Sequence, residues 1–76
     1  MEPVEVSEDF LNKLLASQSS QHKYAPMGLF YREGENGLWI ACDNSTGDAV
    51  LKEFKIKQKA YNWLEASNEQ YSKSKL

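Results

Sequence analysis

The residues able to do covalent or acid–base chemistry are few: one histidine, His22, one cysteine, Cys42, and scattered carboxylates. Cys42 with His22 would be a nucleophile with its base, a dyad that needs a third group to orient the imidazole, and no residue is placed for that. His22 falls in the polar run from Ser17 to Lys23, where a base is not held at the tolerance a reaction demands. Cys42 alternates with Leu38 and Ile40, and apolar burial raises a thiol pKa and makes it inert. One His and one Cys with Asp43, Asp48 and Glu53 around a turn do not assemble a metal site of three or four ligands. The glycines at 28, 34, 37 and 47 match no phosphate-cradling spacing and read as turn residues. The expectation is a chain without catalysis, cofactor or metal.

The elements that would position any site must come from 76 residues, 41% hydrophobic and 26% charged, which allows one small globular domain. Nine basic residues against eleven acidic ones give a formal charge of −2, which argues against a general electrostatic grip on nucleic acid or an anionic membrane. A single cysteine makes no internal disulfide and fits a reducing cytoplasm. Met1 to Val6 carries no basic segment followed by an apolar run, and no stretch approaches a membrane span, so neither export nor insertion is expected. Asn44-Ser45-Thr46 has the form of a glycosylation tripeptide but reads as a plain turn.

Ser7 before Glu8 and Asp9 marks a helix N-cap, and Phe10, Leu11, Leu14 and Leu15 then form one stripe of a helix over 7–17. Residues 18–27 read as a mobile linker ending near Pro26. Three runs rich in aromatic and branched residues follow, 28–33, 38–43 and 49–54, separated by Gly34-Glu35-Asn36-Gly37 and by Asn44 to Asp48. They predict a three-stranded antiparallel meander with a short turn at Asn36-Gly37, since both residues tolerate positive φ. Ala60, Tyr61, Trp63 and Leu64 then gather on one face of a second helix over 57–67, with a loose tail over 71–76. The fold class is α+β, in the order α-β-β-β-α.

With those turns, one sheet face collects Leu29, Tyr31, Leu38, Ile40, Cys42, Val50 and Phe54 under the second helix. The other collects Phe30, Arg32, Trp39, Ala41, Asp43, Ala49, Leu51 and Glu53, too apolar to be left bare and covered by the first helix. If any surface bears function, Phe30, Arg32, Trp39 and Leu51 would engage a protein partner or a second copy as a homodimer. The alternative is a nucleic-acid-binding surface of Arg32, Trp39 and the basic run Lys52, Lys55, Lys57 and Lys59, which otherwise reads as a solvated edge. Trp39→Ala and the salt dependence of binding to duplex DNA separate the two.

Gly37-Leu38-Trp39, the turn at Gly47, and Phe54-Lys55-Ile56-Lys57-Gln58-Lys59-Ala60-Tyr61-Asn62-Trp63 cover about half the chain. This pattern resembles the three-strand-plus-helix domain at the N-terminus of phage-type tyrosine integrases and of plant AP2 proteins, and small bacterial and phage proteins of similar pattern. The resemblance implies a phage or mobile-element origin and a sheet face opposite the helix that lies in the DNA major groove, at Arg32 and Trp39 here. Asp43 and Glu53 share that face, and Ile56 stands where the family has a helix-capping Thr. The expected function is therefore a small cytoplasmic interaction or regulatory protein.

Overall fold

The computed structural model describes residues 1–18, 21 and 23–74, with side chains given as far as Ser67. Ser7 Oγ accepts a hydrogen bond from the Phe10 amide at 3.0 Å and opens α1 (Glu8–Leu15). Glu8 and Asp9 lie in its first turn, where they complement the positive end of the helix dipole. β2 (Gly28–Glu33), β3 (Trp39–Asn44) and β4 (Val50–Phe54) form the expected antiparallel meander, and α2 (Lys57–Ser74) follows. The second helix therefore runs past the expected end at residue 67 and takes in residues 71–74, which read as a loose tail.

The sheet has four strands rather than three. β1 (Pro3–Glu5) pairs in parallel with β2, giving the order β1-β2-β3-β4 in a mixed sheet. Its register opposes Val4 to Phe30 and Glu5 to Tyr31, and the Val6 amide extends it by donating to the Tyr31 carbonyl at 2.8 Å. Three residues that begin with a proline are too short to carry a period-2 signal, so only the Val4-Glu5-Val6 alternation hinted at it.

α2 packs on one face of the sheet, burying Ala60 and Leu64 against Leu29, Tyr31 and Ala41, with Trp39, Phe54 and Trp63 around them. α1 packs on the other, with Leu11 and Leu14 against Phe30 and Cys42 and with Phe10, Ile40 and Ala49 at the margin. A helix on each side of the sheet is the expected arrangement, but the strands between them are faced differently.

β3 is turned over relative to the expected register, and both hairpin loops are responsible. A two-residue turn at Asn36-Gly37 would oppose Tyr31 to Cys42. The loop instead spans 34–38, closed by Gly34 N–H to the Leu38 carbonyl at 2.6 Å, and opposes Tyr31 to Ala41. Asn36 (φ 60°) and Gly37 (φ 73°) do adopt left-handed backbone, inside a single turn of 3-10 helix. The second loop also gains a residue, because Asn44 Oδ1 accepts from the Ala49 amide at 3.0 Å and holds Ala49 at φ 51°, outside the strand. Cys42 therefore opposes Leu51 rather than Val50. A one-residue slip exchanges the faces of a strand, and a second slip restores them. Hence only β3 is inverted: Trp39 and Ala41 lie under α2, Ile40 and Cys42 under α1, while Phe54 stays with Leu29 and Tyr31.

The chain from Lys23 to Pro26, expected to be mobile, is fastened to the second hairpin. Tyr24 N–H donates to the Gly47 carbonyl at 2.8 Å, Lys23 Nζ lies 2.8 Å from Asp48 Oδ1, and Asn44 Nδ2 donates to the carbonyls of Tyr24 (3.2 Å) and Pro26 (2.7 Å). His22 lies outside the described residues.

Candidate protein-interaction surface

The four residues expected to share a sheet face are divided by the inversion of β3. Phe30 is buried under α1, its ring 5.1 Å from that of Phe10. It fills the space a Cβ on Gly28 would need, since such an atom would lie 2.7 Å from the ring. Arg32 is on the same face, half-buried, with Nη1 donating to the Glu33 carbonyl at 3.0 Å and a buried Nε that has no partner. It lines an open cleft of about 490 Å³ with Glu8, Glu33, Glu35 and Glu53. Leu51 also faces this side and is 47% exposed. Trp39 is on the opposite face, half-buried beside Tyr31 at 6.3 Å between rings.

The basic residues divide as well. Lys57 reaches back across the α2 side of the sheet to Glu5 of β1 at 3.1 Å, with Nζ 5.4 Å from the Trp39 ring and 5.9 Å from the Tyr31 ring. The Glu5 hydrogen bond raises its pKa above the ordinary lysine value. Lys52 lies over the Phe54 ring at 5.6 Å. Lys55 and Lys59 are exposed and make no ion pair among the described residues. Trp39 thus meets Lys57, while Arg32 points to a cleft rimmed by four carboxylates on the other side of the sheet. The Arg32–Trp39 pair that a groove-reading face requires is not brought together.

Cys42 is fully buried, and burial first, then the neighbouring Asp43 charge, pushes its thiol up to about 11. A thiol so placed is not ionised at neutral pH. Among the described residues no three His, Cys, Asp or Glu side chains are grouped to hold a metal ion, and no helix is long and apolar enough to cross a membrane.

What remains open is the margin of the sheet beyond α1. The helix lies against β2 and reaches Cys42, but Leu51 of β4 keeps 47% of its surface in solvent, and Val50, opposite Asp43 on the α2 side of the same strand, keeps 51%. β4 is the last strand of the sheet, so among the described residues the backbone groups on its outer flank have no strand to pair with. Sequence reasoning found Leu51 but counted Val50 as core; Val50 does lie on the expected α2 face, yet it is 51% exposed there. No family model, curated protein or solved structure matches the chain.

Proposed function

We propose that this chain is a non-enzymatic interaction domain that binds a protein partner, or a second copy of itself, through the β4 edge, with Leu51 on the face carrying Arg32 and Val50 on the α2 face. One observation carries the reading: the sheet ends in an unprotected strand whose apolar residues Val50 and Leu51 stay half-exposed although a helix is available on each side to cover them. Edge strands left in this state are natural templates for another chain. The thin catalytic inventory points the same way, since the one thiol is buried and protonated.

A photo-reactive side chain at position 51 tests this in cells that make the protein. The expected result is a discrete covalent adduct, of twice the chain mass or of chain plus partner, that disappears with Val50→Asp. The same probe at exposed Lys13 serves as the control. Equal adduct yields at positions 51 and 13, or none at 51, would remove the reading.

A further inference from the structure

We infer that the occupant of the β4 edge is an extended acidic segment of another protein, added to the sheet as a fifth strand; this rests on the interaction reading above. The two edges of the sheet are built unequally. β1 offers three residues, begins with Pro3, which has no N–H to give, and is tied by Glu5 to Lys57. β4 offers five residues in unbroken register with β3, from Trp39 opposite Phe54 to Asp43 opposite Val50, with no bulge and no proline. An added strand can therefore hydrogen-bond along the whole of β4, which is how strand addition gains affinity.

A second copy of β4 does not fit this edge. Antiparallel pairing of two identical strands by a two-fold axis normal to the sheet keeps the faces, so the axis must pass through a residue. Centred on Lys52 it opposes lysine to lysine, and centred on Glu53 it opposes glutamate to glutamate, both unfavourable in cross-strand pairs. Centred on Leu51 it leaves only residues 50–52 to pair before the left-handed Ala49 breaks the strand.

Charge names the alternative. Lys52 opposes Ala41 and so lies on the α2 side. Lys55 follows the strand, and Lys59 lies one helical turn before Trp63, whose ring is 5.9 Å from Phe54. Lys52 and Lys59 therefore border β4 on the α2 side, Lys55 follows at its end, and none of the three is neutralised by a carboxylate among the described residues. On the other side Leu51 is half-exposed beside Cys42. A strand alternating acidic with apolar side chains meets both, acids against the lysines and apolar groups against Leu51.

The test uses the full chain, isotope-labelled, titrated with a synthetic peptide of about six residues, a common strand length, alternating Glu and Val. A Lys/Val peptide and a Glu/Val peptide N-methylated at alternate amides serve as comparisons. The Glu/Val peptide should shift the amides of Val50–Phe54, bind about tenfold tighter than the Lys/Val peptide and weaken with salt. N-methylation should abolish binding, and the surface variant Lys52→Glu with Lys55→Glu should reverse the charge preference. No binding at millimolar peptide, shifts centred elsewhere, or equal affinity for the two charges would overturn the inference. So would duplex DNA competing for the same amides. A position-51 adduct with twice the chain mass would also overturn it while leaving the interaction reading intact.

Discussion

Asn44 is the polar side chain that most constrains the molecule. Fully buried, it donates to the Tyr24 and Pro26 carbonyls and accepts from the Ala49 amide, so one amide joins the connecting segment, the end of β3 and the second loop. Removing one partner from a buried hydrogen bond strands the other, at about 1–3 kcal/mol each. Asn44→Ala should therefore lower unfolding stability by roughly 2–4 kcal/mol in a urea titration. Asn44→Asp should do no better, since a carboxylate cannot donate to the two carbonyls. At Cys42 the folded pKa stands above the ordinary 9.0, at about 11. The native state thus holds its proton where the unfolded state has lost it. Stability from this group is complete below pH 9 and is lost as pH rises toward 11. The expected outcome is a falling urea midpoint across that window in the native protein but a smaller fall in Cys42→Ala, with a disulfide reagent reacting only as fast as the chain opens.

At the scale of elements, the hairpin loops set the faces of the sheet. Gly37 at φ 73° has open space around its Cβ position, whereas Gly28 at φ 153° faces the Phe30 ring at 2.7 Å. Gly37→Ala should cost about 1 kcal/mol, a backbone effect alone. Gly28→Ala should cost more and loosen α1, which shows as weakened exchange protection at Leu11 and Leu14. The helices were legible because Ser7, Glu8 and Asp9 cap α1 and because a 3.6-residue stripe marks α2 from Ala60 to Leu64. The strand positions were legible within one residue, and that residue mattered. Asn36-Gly37 does supply the positive φ values, but nothing in the pair says whether two residues or three lie between the closing pair. At the second loop the count depends on Asn44 capturing the Ala49 amide, a contact between side chain and backbone that no alternation pattern contains. The expected site inherited the error, so Trp39 was grouped with Arg32, while Val50 kept its expected face but is exposed there rather than buried.

At the scale of the whole molecule, the sheet separates two apolar layers, and the first five residues close one edge of it. Deleting residues 1–5 would remove β1 and the Glu5–Lys57 pair, exposing the flank of β2. The shortened chain should sediment as a concentration-dependent assembly, while the intact chain, with its lysine-bordered β4 edge, should not form strand-paired homodimers. A shortened chain that stays monomeric would show that β1 is not needed to guard that flank.

Both tryptophans, Trp39 and Trp63, belong to the layer under α2 and none to the layer under α1. Intrinsic emission therefore reports on half of the interior: α1 can lift away without changing the surroundings of either indole. Denaturation followed by fluorescence alone would miss that event, and a second spectroscopic label near Phe10 is required to see it.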